Sequence, residues 1–356
     1  MSCAFVAAAL PAASEVVVRH GMAFGETIAP DESARFRGFA EEIAAIQSAR
    51  TAEGTGKAGR ALHLKQHLGA VGELVVKAPE TARSGVFAMS GKSWPVYVRF
   101  SNGSSRHQPD KQPDVRGLAL KLVGVPGQKL IKGLEGELTQ DFLFIDSQAI
   151  PFRTPDEFMQ FVRAAKDGPA KLLPRLIASF GFARAVGIIW GSVTAAKVKS
   201  FAAHDFHTAA PIAFGKSAVK LALVPVPSEA PVKAARGPDF LREDLVTRLQ
   251  SRALSWTLRA QLFVDERATP IEDASVVWSA PWVDLATLTL PRQDPESARG
   301  REISELVNEL SFDPWHAIEA HRPLGAIMRA RGATYGASVL ARNAAPEPKG
   351  VLTVSS

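Results

Sequence analysis

Seven short runs of β-branched, aliphatic and aromatic residues constrain the fold of this chain more than any other feature. The runs span residues 73–77, 95–100, 117–123, 141–145, 218–225, 256–264 and 287–291. Runs of this composition, bounded by glycine, proline and polar turns, are typical of β-strands. Because no helical segments alternate regularly with them, as they would in βαβ units, the sequence predicts an α+β fold, an antiparallel sheet or barrel with surrounding helices.

Helical patterns lie before, between and after these strands. They cover residues 30–48, 155–165, 171–179, 238–253 and 323–342, and proline or aspartate supplies most of the start signals. We therefore predict an N-terminal arm and helix over 1–50, a single domain over 51–343 that opens with a loop to Gly59, and a flexible C-terminal tail over 344–356.

Composition excludes several classes of protein. Hydrophobic residues make up 46% of the 356 residues and charged residues 22%, as in an ordinary globular protein. The net charge of +6 includes no dense basic run, so a nucleic-acid partner is not predicted. No apolar run reaches the roughly 20 residues that span a bilayer, so no membrane span is predicted.

Cysteine usage and the first residues bear on the compartment. Cys3 is the single cysteine, which excludes an intrachain disulfide framework and favours a reducing cytoplasm. Residues 1–14 resemble the apolar core of a signal peptide but lack its basic start, so cytoplasmic localisation is our prediction and export to the periplasm the alternative.

The first candidate site lies in the C-terminal helical segment. Arg331 and Tyr335 are four residues apart and would share one helix face. A phenol beside a permanent cation can bind ferric iron as phenolate, so Tyr335 is a candidate axial ligand of a heme iron. An arginine stacked on a tyrosine is also common in ordinary packing, and the pair alone does not decide between the two.

Two histidines four residues apart, His63 and His67, form the second candidate. A zinc site is the obvious alternative, but Leu64 stands where a zinc protease needs its glutamate, and no cysteine lies nearby. Gly69 and Gly72 indicate a loop that leads into a strand. Histidines without a role are the simpler interpretation of this segment alone.

Three further segments carry polar or aromatic side chains near predicted strands. Arg99 and Ser101 end one strand, where a serine can fix a histidine tautomer and an arginine can bind a carboxylate. Asp146 follows another strand, and Phe158 lies on a helix, where its default place is the core.

Taken in order, these pieces resemble the heme catalases, and most closely the short catalase-related proteins that lack the large C-terminal domain. The shared pieces are Arg60-x-x-His63-x-Lys65, Val98-Arg99-Phe-Ser101, Asp114-x-Arg116-Gly, the helix start with Arg153, Pro155 and Phe158, and Arg331-x-x-x-Tyr335. The stretch 312–325 before the tyrosine helix is similar to the short branch in particular. The resemblance covers roughly residues 60–335 and implies an antiparallel β-barrel with helices that binds heme b.

The resemblance also implies roles for single residues on the peroxide side of the heme. His63 matches the distal histidine that moves a proton during O–O cleavage, and Ser101 the serine that binds the other ring nitrogen of that histidine. Phe158 matches the ring that packs on the porphyrin.

The remaining implied roles concern heme binding. Tyr335 matches the proximal iron ligand. Arg60, Arg99 and Arg331 match arginines that meet the heme propionates or the phenolate.

One departure from the family concerns the distal asparagine that holds peroxide. The asparagines of this chain are Asn102, Asn308 and Asn343, and none stands where the motif after Asp141 would place it. Asp146 lies in that neighbourhood instead. An ionised carboxylate accepts hydrogen bonds but does not donate them, so efficient peroxide dismutation is in question.

Three functions follow from different classes. The leading one is a heme peroxidase or catalase acting on hydrogen peroxide or an organic hydroperoxide, with a small organic reductant as a second partner. The alternative is a heme enzyme that rearranges or dehydrates a lipid hydroperoxide, as allene oxide synthases do, or that oxidises another organic substrate. The third is a non-catalytic heme protein, which would need no proton shuttle. A homo-oligomer is compatible with all three.

Overall fold

A computed structural model of the chain describes residues 25–53, 59–166, 169–194, 198–226 and 237–354. Its strands are β1 (Gln66–Val76), β2 (Ser93–Asn102), β3 (Arg116–Val123), β4 (Thr139–Ile145), β5 (Phe206–His207), β6 (Ile212–Phe214), β7 (Ser217–Pro225), β8 (Leu254–Leu262) and β9 (Trp282–Leu290). Its helices are α1 (Glu32–Glu53), α2 (Pro155–Lys166), α3 (Pro169–Phe180), α4 (Phe182–Thr194), α5 (Phe240–Ser251), α6 (Ala298–Glu309) and α7 (Ala326–Ala341). The signal-like segment 1–14, Cys3 and residues 54–58 of the predicted loop lie outside the described residues.

Eight of the described strands close into an antiparallel barrel, which confirms the predicted fold. Around the barrel the order is β4, β3, β2, β1, β9, β8, β7 and β5. The two-residue strand β5 completes the ring by pairing with β4 on one side and β7 on the other. Strand β6 extends β7 as a short hairpin beside the ring.

The side chains of β2 point alternately into the barrel core and to the outer face of the barrel wall. Val96, Val98 and Phe100 belong to the large cluster that fills the barrel. Because successive side chains of a strand point to opposite faces, Arg99 and Ser101 lie on the outer face of the barrel wall. The candidate site is built against this outer face.

Helix α6 covers part of the same wall by packing on β1. A Cβ added at Gly69 would lie 2.6 Å from Cβ of Val307, so only glycine permits this approach. The sequence predicted a loop leading into a strand around Gly69 and Gly72, whereas both glycines lie inside β1, which already begins at Gln66. The glycines therefore mark close packing of a helix and a neighbouring strand.

The last described residues pack against the barrel, although the sequence predicted a flexible tail. Glu347 is buried and accepts hydrogen bonds at 2.7 Å from Nζ of Lys121 and at 2.8 Å from Oγ of Ser311. Asp141 lies 2.7 Å from the same buried ammonium. Burial opposes the charge of Lys121, but the two carboxylates outweigh it and raise the pKa of this lysine.

An ion cluster fixes the start of α7 against the N-terminal part of the chain. Arg329 is buried and binds Glu26, Glu32 and Glu272 at 2.8, 2.6 and 3.0 Å. Burial works against the charge of Arg329, and its carboxylate partners raise its pKa above the ordinary value. The cluster positions the helix that carries Arg331 and Tyr335.

Helices α3 and α4 pack against each other, and α3 also packs on α2. The sequence predicted α3 but not α4, because α4 begins at Phe182, directly after Gly181, without the proline or aspartate start signal that marks most of the predicted helices. Among the described helices, none has the length and apolar character needed to cross a membrane.

Candidate heme and peroxide site

The loop before β1 presents His63 to the outer face of the barrel wall. The backbone N–H of His63 donates to the carbonyl of Gly103 at 2.9 Å, which fixes the loop against the end of β2. His63 has a φ of 55°, an uncommon conformation for a residue with a Cβ. Arg99 donates to the carbonyl of His63 at 2.9 Å, so the backbone is held from two sides.

The imidazole ring of His63 is fixed by one hydrogen bond and one close surface. Its Nδ1 lies 3.0 Å from Oγ of Ser101. A Cβ added at Gly117 would lie 2.7 Å from both Cε1 and Nδ1 of the ring and 2.9 Å from Oγ of Ser101. The ring therefore packs directly against the backbone of β3, where only glycine leaves room for it.

The charge state of His63 suits a proton acceptor. Burial lowers the pKa of His63 to about 3, and the positive charges of Arg99, Arg331 and Arg60 add to this effect. The ring is therefore neutral near pH 7. If Nδ1 carries the proton and donates to Ser101, Nε2 has a free lone pair for a substrate proton.

The predicted contact between Arg331 and Tyr335 is also formed, within helix α7. Arg331 donates a hydrogen bond from Nη2 to the phenol oxygen of Tyr335 at 2.9 Å, and its guanidinium lies 5.0 Å from the centroid of the ring. The other terminal nitrogen of Arg331 lies 3.4 Å from the sulfur of Met328. The phenol oxygen thus has a permanently charged donor from its own helix.

Three further arginines surround this pair. Arg60 and Arg342 both donate to the carbonyl of Leu310, at 2.6 and 2.8 Å. Burial lowers the pKa of Arg60 well below its ordinary value, and the charges of Arg99 and Arg342 lower it further, whereas Tyr335 raises it.

Burial also lowers the pKa values of Arg99 and Arg342. Burial, followed by Arg342, lowers the pKa of Arg99 to about 9, and burial lowers that of Arg342 to about 10. Tyr335 partly offsets the effect at Arg99, and Glu309 at Arg342.

The arginine group lacks carboxylate partners at ion-pair distance. Within the residues described by the structure, no Asp or Glu oxygen lies within 4 Å of Arg60, Arg99, Arg331 or Arg342. The buried Nε of Arg99 has no hydrogen-bond partner. Buried cations are normally paired, so this group fits a ligand that supplies negative charge, as the two propionates of heme would.

Phe158 lies where α2 meets α1 and α7. It is half-buried and packs edge-on against Phe152 at 5.5 Å between ring centroids. It also joins an apolar cluster that contains Ala61 and Ala330, the neighbours of Arg60 and Arg331. The ring is therefore next to both chain segments that build the arginine group.

The structure does not bring Asp146 together with His63. The carbonyl of Arg116 accepts a hydrogen bond from the backbone N–H of Asp146 at 3.0 Å. The negative charge of Asp114 also acts on the Asp146 carboxyl. Burial raises the pKa of Asp146 to about 7, and its Oδ2 has no hydrogen-bond partner. These contacts do not test whether Asp146 faces the distal side, which stays a prediction.

His67 also points away from His63. Its Nε2 donates to Oδ1 of Asn102 at 2.6 Å, and its ring lies 5.1 Å from that of Phe201 in the barrel core. Ser101 and Asn102 are adjacent in β2, so the two histidines contact opposite faces of one strand. In the described part of the chain, no three His, Cys, Asp or Glu side chains are grouped to hold a metal ion.

Two contributors to the site were missed in the sequence. Arg342 follows Tyr335 by seven residues, about two helical turns, so the spacing that links Arg331 to Tyr335 also indicates it. Gly117 gave no such signal, because its importance depends on the loop that places His63 over β3.

Comparison with known proteins agrees with this geometry. A catalase-related peroxidase from Mycolicibacterium paratuberculosis is 29% identical to this chain over 315 residues, covering 84% of this chain and 93% of the relative. No family model matches the chain.

Solved structures of catalases share the fold. They include a fungal catalase (TM-score 0.63, 18% identity), catalase A from Saccharomyces cerevisiae (0.62, 16%) and a bacterial catalase (0.60, 19%). In each case 80% of this chain is covered, but it spans only 59%, 61% and 57% of those catalases respectively. Sequence and fold together confirm the predicted resemblance to the catalase-like superfamily.

Proposed function

We propose that this protein is a heme-dependent oxidoreductase of the catalase and peroxidase type, acting on hydrogen peroxide or an organic hydroperoxide. The observation that carries the proposal is that neutral His63 lies close to the arginine group, one member of which, Arg331, binds Tyr335 near the other end of the chain. A catalase-related peroxidase among its relatives supports the same reaction class.

The residues present fit heme b. Tyr335 would hold the iron through its phenol oxygen, with Arg331 donating to that oxygen. Arg60, Arg99 and Arg342 would bind the propionates, which would supply the negative charge that the arginine group lacks. When bound, heme supplies an iron centre at which the O–O bond of a peroxide can be cleaved.

The protein itself would move the proton. Nε2 of His63 would take the proton from the peroxide oxygen that approaches the iron and return it to the departing oxygen, which leaves as water or an alcohol. Ser101 would accept a hydrogen bond from the Nδ1–H of the ring and so keep the proton on Nδ1 and the Nε2 lone pair available. Gly117 would set the position of the ring.

The asparagines support peroxidase chemistry ahead of efficient dismutation. Oδ1 of Asn102 accepts from both His67 and Arg116, on the face of β2 opposite Ser101. Oδ1 of Asn308 is 3.5 Å from Arg99. Neither amide contacts His63, so the described contacts provide no amide donor for peroxide next to this ring. We assign no proton-transfer role to Asp146.

A second candidate is the rearrangement or dehydration of a lipid hydroperoxide. The observation that favours it is the partly buried aromatic cluster beside the site, where Phe158 packs on buried Phe152 and Phe161 lies 5.2 Å from the same ring. Such a surface suits an acyl chain better than it suits hydrogen peroxide alone.

The test uses the heme-reconstituted protein with hydrogen peroxide and, separately, a fatty-acid hydroperoxide. Oxygen release, oxidation of an organic donor and isomeric lipid products are followed. His63→Ala should retain heme and lose turnover by about 10²-fold or more, because it removes the acid and base. His107→Ala is the matched control, since His107 is exposed.

Each product identifies one outcome. Donor oxidation that depends on His63 supports the peroxidase proposal. Lipid isomers formed without donor oxidation favour the second candidate. A His63→Ala variant as active as wild type would contradict both.

A further inference from the structure

The hairpin formed by α3 and α4 carries three exposed apolar side chains. In α4, Phe182 is 69% exposed and Val186 is 39% exposed. Leu173 of α3 is 40% exposed. Scattered exposed apolar residues are ordinary, but these three belong to two paired helices.

The inner faces of the same helices account for their attachment to the domain. Leu176, Ala185 and Ile188 are buried in a cluster that also includes Phe152. Arg184 donates to the carbonyl of Pro151 at 3.0 Å and pairs with Glu157 at 2.9 Å. The hairpin is therefore anchored on one side, and its exposed apolar side chains are not needed for that attachment.

The charges of the hairpin have one sign. Residues 169–194 contain three charged residues, Lys171, Arg175 and Arg184, and no aspartate or glutamate. Lys171 and Arg175 are exposed and lie one helical turn apart. Exposed apolar residues beside exposed cations are the pattern of helices that lie in the interface of an anionic membrane.

The lengths of the helices agree with a surface position. The 12 residues of α3 and the 13 of α4 correspond to roughly 18–20 Å each, at about 1.5 Å per residue. That is shorter than the roughly 30 Å hydrocarbon core of a bilayer, so a helix of this kind can lie in the interface but cannot cross it.

We propose that the α3–α4 hairpin binds the surface of an anionic phospholipid bilayer. Phe182, Val186 and Leu173 insert at the boundary between headgroups and acyl chains. Lys171 lies against the lipid phosphates. The proposal depends on the hairpin alone and not on heme or peroxide chemistry.

Charge complementarity favours this occupant over a second copy of the chain. A symmetric contact through this face would bring Lys171 of two copies together, and residues 169–194 contain no aspartate or glutamate that could offset the repulsion. A negatively charged lipid surface would instead attract each cation by about 1 kcal/mol, or roughly fivefold in affinity.

The experiment is co-flotation of the full-length, heme-loaded protein with vesicles. Vesicles of an equimolar mixture of phosphatidylglycerol and phosphatidylcholine are compared with vesicles of phosphatidylcholine alone. The double variant Phe182→Ser/Val186→Ser is compared with Met89→Ser/Val264→Ser, whose wild-type residues are 69% and 61% exposed elsewhere on the surface. Far-UV circular dichroism and heme content establish that each variant is folded.

We expect the wild-type protein and the Met89/Val264 control to float with the anionic vesicles, less so at high salt. The Phe182/Val186 variant should bind at least about tenfold more weakly than wild type, because it removes the inserting side chains. Lys171→Gln should weaken binding roughly fivefold, whereas Lys216→Gln, at an exposed lysine in another turn, should not.

Three results would overturn the proposal. The first is a Phe182/Val186 variant that binds anionic vesicles as the control does, and the second is a wild-type protein that does not bind them. The third is a concentration-dependent dimer that the same variant dissociates while vesicles have no effect, which would make this face an interface between copies.

Discussion

Replacing Gly117 with alanine tests the placement of His63 without removing any functional side chain. The new Cβ would lie 2.7 Å from Cε1 and Nδ1 of His63 and 2.9 Å from Oγ of Ser101. Non-bonded carbon contacts are relaxed near 3.5–4.0 Å, so the ring must retreat by about 1 Å. The retreat would lengthen or break its hydrogen bond to Ser101.

The expected loss follows from this displacement. A misplacement of about 1 Å at a reacting group costs on the order of 10²-fold in rate. Gly117→Ala should therefore lower peroxide turnover by about 10²-fold while heme remains bound, because the arginine group and Tyr335 are not touched. The assay is peroxide consumption per bound heme, with the absorption spectrum as the measure of heme content.

A second glycine provides the control for Gly117→Ala. A Cβ added at Gly136 would meet no atom within 4 Å, so Gly136→Ala should leave turnover unchanged. If Gly117→Ala kept its heme and turned over peroxide within about threefold of wild type, the reasoning that β3 positions the His63 ring would be refuted.

Three further changes test other parts of the structure. Burial and nearby arginines hold the pKa of His63 at about 3 in the folded protein. The neutral ring therefore adds stability that is complete above its ordinary pKa of about 6.5 and is lost as pH falls from there towards 3. His63→Gln should for this reason show a smaller shift of the urea midpoint between pH 7 and pH 5 than wild type. In a denaturant titration, Glu347→Gln should lower the free energy of unfolding by about 2 kcal/mol, since it weakens a charged hydrogen bond to buried Lys121. The control Glu137→Gln, whose partner Lys349 is exposed, should lower it by less than about 0.5 kcal/mol in the same titration. Arg342→Gln should weaken heme binding roughly tenfold in a heme titration, whereas Arg106→Gln at an exposed position should have no effect.

The barrel could be predicted because its long strands are continuous runs of strand-forming residues. Strands β5 and β6 could not, since two or three residues carry no periodic signal. The course of β1 was mistaken for the same kind of reason: Gly69 and Gly72 suggest a turn locally, and only the approach of α6 shows why a strand needs glycine there.

The site shows the same division between local and long-range information. Arg331 and Tyr335 are one helical turn apart, so their contact follows from the sequence. Asp146 was assigned because it lies where the family pattern after Asp141 expects an asparagine, and a position in that pattern does not determine which group the side chain faces at the strand end. Its contacts with Arg116 depend on the pairing of β3 with β4.

The pairing of His63 with Ser101 was supplied by the family resemblance rather than by the residues alone. Thirty-eight positions separate them, and no local pattern links two groups that far apart. The structure adds the reason for the pairing: the loop before β1 is hydrogen-bonded to Gly103, beside the end of β2.

The central claim is that Tyr335 ligates a heme iron, and the most direct test is the visible absorption spectrum of the reconstituted protein and of Tyr335→Phe. Tyr97→Phe is the control, because the phenol oxygen of Tyr97 is bonded to the backbone of Gly350 and Leu352 rather than to an arginine. The account predicts a high-spin ferric spectrum of the tyrosinate type for wild type and Tyr97→Phe, and altered ligation or loss of heme in Tyr335→Phe. An unchanged spectrum in Tyr335→Phe, or no stoichiometric heme in the wild-type protein, would contradict it.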